Sequence, residues 1–332
     1  MRAVLCNRFG PADELVVGEP ALPELAPDEV RIALHAAGVN FADTLMIAGK
    51  YQEKPPFPFS PGLEGAGVVE AVGADITSTK AGGIAVGQRV LCLTDHGAFA
   101  DTAIAKASDV HPIPDSMDYA TAAGFPITYG TAHGALTWQA RMQAGETLLV
   151  HGAAGGVGLA AVEVGKALGA TVIATAGGAE KLEVARKHGA DYLIDYRSED
   201  IRARVKELTN GRGADVVFDP VGGDVFDATL RCTAWSGRIV VIGFAGGRVP
   251  QIPANHLLVK NIAALGFYWG SYRKHAPDMV REEFVELLQW FEAGKLSPLV
   301  SHQYDLTDTA AAMELLTTRK STGKVVLTTG RS

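Results

Sequence analysis

The chain has 332 residues, enough for two domains each with a hydrophobic core. Hydrophobic residues make up 47% and charged residues 20%, a globular balance, and the net charge of −7 argues against a nucleic-acid footprint. The three cysteines, Cys6, Cys92 and Cys232, are scattered without a Cys-x-x-Cys pair, which argues against a disulfide framework and a cysteine-rich zinc site. The first residues lack a signal-peptide apolar core and no apolar run reaches membrane-spanning length. The expectation is a cytoplasmic protein with neither nucleic acid nor membrane as partner.

Residues 1 to about 120 read as mostly β. Val30, Ile32, Leu34 and Ala36 alternate with Arg31, Ala33 and His35, the mark of a half-buried strand. Gly65–Val72, Arg89–Leu93 and Phe99–Ile104 read as further strands, with prolines such as Pro23, Pro27, Pro55 and Pro61 marking turns between them. Short strands with Gly/Pro turns predict a small barrel-like domain. Helices are expected over Asp118–Gly124 and Thr131–Met142.

From Thr147 the pattern changes to strand, helix, strand. Thr147–His151 is an apolar run of strand length, followed by Gly152-Ala153-Ala154-Gly155-Gly156-Val157-Gly158. Val157, Ala161, Val164 and Leu168 then share a helical stripe, and Thr171–Thr175 reads as the next strand. This is the opening of a dinucleotide-binding unit, in which backbone N–H groups at a helix start hold a pyrophosphate. The pattern here is Ala-x-Gly-x-x-Gly, with Ala153 at the usual first glycine. Gly155 lets backbone approach the anion, and Gly158 lets the helix pack close to the strand.

The cadence continues with helices at Lys181–His188, Ile201–Leu208 and Phe226–Cys232, and strands at Asp191–Asp195, Val216–Asp219, Arg238–Ile242 and Ile262–Phe267. It predicts a doubly wound parallel sheet. An amphipathic helix over Met279–Ala293, a helix at Ala310–Leu316 and a strand at Lys324–Thr328 close the chain.

Several ordered motifs carry a resemblance that spans nearly the whole chain. They are Ala37-Gly38-Val39-Asn40-Phe41-Ala42-Asp43, Gly62-Leu63-Glu64-Gly65-Ala66-Gly67, Gly130-Thr131-Ala132, the His151–Gly158 turn and Gly323-Lys324-Val325-Val326. Together they resemble the zinc-free medium-chain dehydrogenases/reductases, and most of all the NADPH:quinone oxidoreductases. The resemblance implies an α/β Rossmann domain, a doubly wound parallel sheet, inserted into a GroES-like β-barrel domain. The boundaries expected are 1–121 and 263–332 for the GroES-like catalytic part and 122–262 for the Rossmann NADPH-binding part.

Zinc-using relatives place ligands where this chain has Asn40, Leu63 and Phe125, none of them a good zinc ligand. The nine histidines form no His-x-His or His-x-x-x-His pair, so no metal is expected. Glu64 is then a fold-supporting carboxylate rather than a catalyst.

NAD-preferring Rossmann domains end the second strand with a carboxylate, whereas Thr175-Ala176-Gly177-Gly178 has none before Glu180. NADPH is therefore the expected cofactor. By resemblance, Lys181, Tyr196 and Arg319 hold its 2′-phosphate, and Ala154, Gly155, Gly156, Val157 and Gly158 its pyrophosphate. Thr128, Gly243 and Phe244 come near the nicotinamide; core packing is the alternative for Phe244.

Hydride transfer to an electron-poor acceptor follows, either a quinone or an α,β-unsaturated carbonyl such as an enone, acrylate or enoyl thioester. A third reading is an NADPH-binding structural or regulatory protein with little turnover. Asn40 and Tyr51 are the expected catalytic hydrogen-bond donors to the acceptor oxygen. The alternatives are that Asn40 caps the helix starting at Phe41 and that Tyr51 is an ordinary loop aromatic. The apolar Ile262–Phe267 strand would form a sheet edge, and edge pairing predicts a homodimer.

Overall fold

The computed structural model describes residues 1–76 and 83–331. The chain divides into two units, Met1–Ile127 with Ala276–Glu292 and Pro298–Ser332, and Thr128–His275 with Ala293–Ser297. In chain order the first unit begins with β1 (Ala3–Leu5), β2 (Val16–Gly18), β3 (Glu29–Val39), α1 (Phe41–Ile47), β4 (Glu64–Val72), β5 (Arg89–Leu93), β6 (Thr102–Lys106), β7 (Val110–Pro112) and α2 (Tyr119–Ala123). Next come α3 (Pro126–Gly134), β8 (Thr147–Val150), α4 (Gly156–Ala167), β9 (Thr171–Ala176), α5 (Ala179–Lys187), β10 (Tyr192–Asp195) and α6 (Ile201–Leu208). They are followed by β11 (Ala214–Asp219), α7 (Gly223–Cys232), β12 (Thr233–Val241), α8 (Ala254–Lys260), β13 (Ala263–Gly266) and α9 (Tyr272–His275). The chain ends with α10 (Pro277–Glu292), β14 (Val300–Asp305), α11 (Thr309–Thr317) and β15 (Lys324–Thr328).

In the first unit the strands follow the order β14-β15-β3-β4-β5-β7, with β6 also on β3. The alternation read in β3 holds in part: Val30, Ile32, Leu34 and Ala36 are buried and Arg31 and His35 half-buried, but Ala33, expected on the outer face, is buried too because β3 is covered by β4, β6 and β15. β3 runs antiparallel to both β4 and β15, with Ala37 opposite Gly65 and Val39 opposite Val325. That register brings the end of β3 together with the first residues of β4 and β15. Asn40, Glu64 and Lys324 therefore meet, although they are far apart in sequence.

The second unit is a six-stranded parallel sheet in the order β10-β9-β8-β11-β12-β13. The strand order reverses between β8 and β11, the switch point at which doubly wound sheets bind ligands beyond the carboxyl ends. Leu149, Ile173, Val217 and Ile239 from the sheet pack with Phe226 and Leu230 of α7. β13 pairs with β12, Ala264 opposite Ile239, so residues 263–275 belong to this unit. The second boundary thus falls at 275/276 rather than the expected 262/263. The first lies at 127/128 rather than 121/122.

One buried carboxylate ties this unit together. Glu163 on α4 accepts from the Tyr129 hydroxyl at 2.7 Å and the Ser297 backbone N–H at 2.9 Å, while His188 Nδ1 meets its other oxygen. Burial, then the neighbouring Glu163 charge, raises the Tyr129 phenol well above its usual range, so it remains a donor. Among the described residues no helix is long and apolar enough to cross a membrane.

Candidate functional site

The glycine turn lies where β8 runs out at the switch point. Gly152 adopts φ +60°, taking the tight-turn role that the usual pattern gives to the next position. Ala153 instead donates its N–H to Thr175 O on β9 at 3.0 Å and is fully buried. A Cβ on Gly158 would lie 2.2 Å from Gly152 O, so α4 rests against the turn as only glycine allows. Gly155 is the N-cap of α4, and no side chain caps the helix. The first N–H groups and the positive end of the helix dipole are thus presented to an anion. Ala154, Gly156 and Val157 complete the turn; Ala154 is buried and the other two are half-buried.

Behind the turn sits His151, fully buried between Thr175 Oγ1 at 3.0 Å and Thr229 Oγ1 at 2.7 Å. The Thr229 hydroxyl donates its own hydrogen to Val225 O at 2.8 Å. It must therefore accept from His151 Nε2–H, leaving Nδ1 to accept from Thr175. Burial lowers the His151 pKa and keeps the ring neutral. This ring ties β8, β9 and α7 together under the phosphate turn. Sequence reading quoted His151 in its motif but assigned it no task.

At the end of β9, Gly177 and Gly178 lead into α5. The hydroxyl of Tyr196 lies 2.6 Å, and Arg197 Nε 2.8 Å, from where a Cβ on Gly177 would stand. Arg197 Nη1 is 3.2 Å from the corresponding point on Gly178. Asp195 Oδ1 anchors this corner by accepting from Gly178 N–H at 3.2 Å and Arg197 N–H at 3.0 Å. Tyr196, expected at the 2′-phosphate, thus lies over the glycine pair at the end of β9. Arg197 lies beside it at this corner, a residue that sequence reading did not name. Its signal was the Tyr-Arg pair ending the third strand opposite a glycine pair with no carboxylate. Lys181 is half-buried in the first turn of α5. Arg319 belongs to the other unit, exposed just after α11 at φ +57°.

Asp219 ends β11, fully buried, with Oδ1 accepting from Val221 N–H at 2.8 Å and Gly222 N–H at 2.9 Å. The 220–223 turn is zipped to the segment after β12 by Ala245 N–H to Pro220 O at 3.1 Å and Gly246 N–H to Val221 O at 2.7 Å. Gly243 and Phe244 lie in that segment, beyond the carboxyl end of β12. Phe244 is 40% exposed, which rules out simple core packing. Thr128 is buried in α3. Trp269, also buried, lies so close to Gly130 that a Cβ there would meet its ring at 2.6 Å. A cavity of about 640 Å³ beside β13 is lined by Glu146, Arg238 and Ala263, at the amino ends of the strands. It therefore lies away from the nucleotide turn.

In the first unit, Asn40 is the N-cap of α1 and is 7% exposed. Its backbone N–H donates to Asp43 Oδ2 at 2.7 Å. Its side chain faces Lys324 and Glu64. Lys324 Nζ donates to Asn40 Oδ1 at 2.6 Å and to Glu64 Oε1 at 2.6 Å; Asn40 Nδ2 donates to Glu64 Oε1 at 2.8 Å. The other Glu64 oxygen accepts from Ile127 N–H at 2.8 Å. The carboxylate is fully buried and crosslinks four segments, in keeping with a fold-supporting role. Asn40 Nδ2 makes one further contact, to Gly38 O at 3.4 Å, too long to hold that hydrogen firmly. The amide expected to donate to an acceptor oxygen is thus tied at both ends, with one hydrogen loosely placed. Tyr51 is half-buried, packed on the unit's core.

Asp43 is fully buried, and its Oδ1 has no hydrogen-bond partner among the described residues. Burial pushes its carboxyl up to about 7, against the lowering effects of the Asn40 N–H and the Lys324 charge. The donor set does not suit a dication. Leu63 and Phe125 are buried apolar side chains, and the Lys324 ammonium already occupies the side of Asn40 that a cation would use. Among the described residues no group of three or more His, Cys, Asp or Glu could hold a metal ion.

Residues 26–115 match the alcohol dehydrogenase GroES-like domain family, and residues 156–293 the zinc-binding dehydrogenase family. Quinone oxidoreductase-like protein 2 homolog of Nematostella vectensis is 45% identical over 99% of this chain and 89% of its own length. Quinone oxidoreductase of Pseudomonas aeruginosa is 36% identical over 93% of each. Escherichia coli quinone oxidoreductase, solved as a complex with NADPH, is 30% identical with a TM-score of 0.90 over 99% of this chain and 100% of that one. Fold, turn and relatives agree: the chain belongs to the quinone oxidoreductase family of medium-chain dehydrogenases/reductases, with a GroES-like domain and a Rossmann domain.

Proposed function

We propose that this protein is a zinc-independent oxidoreductase that passes hydride from NADPH to a quinone. The observation that carries the cofactor choice is the corner after β9, where Tyr196 and Arg197 lie over Gly177–Gly178 and no acidic side chain ends the strand. A ribose 2′-phosphate suits a guanidinium and a phenol there, whereas the carboxylate typical of NAD sites would repel it. Lys181, in the first turn of α5, is proposed to join them. The glycine turn and the uncapped start of α4 suit the pyrophosphate. Thr128, Gly243 and Phe244 are proposed to orient the nicotinamide.

When bound, NADPH supplies the hydride; the chain's part is to hold it, exclude water and stabilise charge on the acceptor oxygen. Tyr51 through its hydroxyl, and Asn40 through its loosely placed amide hydrogen, are the proposed donors to that oxygen. The acceptor class is the finer part of the reading and rests on the quinone oxidoreductase relatives. A second copy of the chain is the proposed partner, through β13, the half-exposed last strand of its sheet.

The test is NADPH oxidation followed at 340 nm with a 1,2-quinone, an enone and an acyl-CoA alkene side by side. Fastest turnover with the quinone is expected. Preference for the enone or thioester would move the enzyme to alkene reduction. NADPH binding with no turnover of any acceptor would leave a binding module and overturn the proposal.

A further inference from the structure

We infer that Lys324 is a positioning residue, whose ammonium fixes and polarises the Asn40 side-chain amide so that its one loosely held hydrogen serves the acceptor oxygen. This rests on the reading above that Asn40 lies against the acceptor. The charges decide which way the amide faces. An ammonium only donates and a carboxylate only accepts. With Oδ1 toward Lys324 and Nδ2 toward Glu64, both contacts are favourable, at 2.6 and 2.8 Å. Turning the amide over would set NH₂ against the ammonium and C=O against the carboxylate, two repulsive contacts at once.

The lysine is built in for this contact. Its side chain is 7% exposed and that of Glu64 is 0%. It passes over Gly124, where a Cβ would lie 2.5 Å from Lys324 Cγ, so a larger residue at 124 would push it aside. Its backbone N–H is fixed to Leu299 O at 2.8 Å. A hydrogen bond from a cation to an amide oxygen draws charge from the nitrogen and strengthens its N–H groups as donors. Glu64 takes the first of those hydrogens. The second, held in the plane of the amide, has only the 3.4 Å contact to Gly38 O and can be taken up by a stronger acceptor lying along its direction.

The tests use the full chain. Lys324→Met keeps the length and removes the charge; Asn40→Ala removes the amide. A cooperative thermal melt qualifies each variant. Each single substitution is expected to lower kcat with the quinone at least tenfold, with KM for NADPH within twofold. The double variant is expected to fall no lower than the worse single one, because Lys324 acts through Asn40. Full kcat in Lys324→Met, or losses that multiply in the double variant, would overturn the inference. If Lys324→Met does not fold, Lys324→Gln serves the same cycle. A readout independent of turnover is the NMR signal of the Asn40 side-chain NH₂, assigned by its loss in Asn40→Ser. Its two protons should be well separated in the wild type and move together in the Lys324 variant; an unchanged pair would overturn the inference. A wild type without acceptor turnover would instead count against the proposed function, and the NMR test would still decide the role of Lys324.

Discussion

Replacing Arg197 by alanine tests the proposed 2′-phosphate site. The guanidinium has no ion-pair partner among the described residues, so its removal leaves no buried charge behind. The backbone corner should survive, because Asp195 holds it through the N–H groups of residues 178 and 197. The whole effect should therefore fall on the ligand. A hydrogen bond to a charged group contributes about 1.5–3 kcal/mol. Arg197 is exposed, and water screens the pair, so the lower figure applies. About 1.5 kcal/mol corresponds to roughly a tenfold rise in Kd for NADPH. NADH, which lacks the phosphate, should bind within twofold of before. Fluorescence titration of both coenzymes at two salt concentrations is the assay. Added salt should weaken NADPH binding more in the wild type than in the variant. Equal losses for the two coenzymes, or no loss for NADPH, would refute the reasoning.

Lys181→Ala should weaken NADPH binding by about 1.5–3 kcal/mol and leave NADH use nearly unchanged; losses of equal size in both would remove it from the phosphate site. Gly158→Ala puts a Cβ 2.2 Å from Gly152 O, so the helix or the turn must move. About 1–3 kcal/mol of stability and at least tenfold in NADPH affinity should be lost, and binding at wild-type strength would show that α4 does not rest on the turn. Asp43 is expected to make stability depend on pH. Its folded value of about 7 lies above the unfolded value of about 3.9. The folded chain therefore keeps a proton that the unfolded chain loses between those limits. The resulting advantage, up to about 4 kcal/mol, is complete at low pH, fades as pH rises through that window and is gone above it. Thermal melts of wild type and Asp43→Asn should diverge over that range; parallel curves would contradict the assignment. Light scattering at micromolar concentration should report a dimer, and a monomer would remove the role proposed for β13.

The strand–helix cadence was legible because each element carries its own period and stop. Arg89–Leu93, Ile201–Leu208 and Lys324–Thr328 have the same bounds in sequence and structure. The elements that went unread carry weak local signals. β14 is the polar run Val300–Asp305, a strand because β15 lies beside it. In α8, Leu258 and Val259 face outward at 78% and 76% exposure, so apolar spacing gave no inward face to read. The glycine turn was readable as chemistry, but the tight-turn role passed to Gly152, which only φ reveals. Lys324 was visible as part of a motif, yet nothing local says that a lysine starting a strand will be buried. Its partners are 260 and 284 residues away and reach it only through the antiparallel register of β3. Arg197 escaped for a similar reason, since its meaning depends on the neighbouring strand.

The Glu163 knot has a bearing on how such a chain could be cut and rejoined. Tyr129 lies at the start of the nucleotide-binding portion and Ser297 at its final residue, and both hydrogen-bond to the same oxygen of one carboxylate. Both ends of that portion are therefore tied to α4 through one carboxylate oxygen, although the chain makes an excursion from Ala276 to Glu292 between them. A segment whose ends are clasped in this way behaves as a cassette. Exchanging it between relatives has to keep Tyr129, Glu163 and Ser297 together, because losing any one of them unfastens an end from α4.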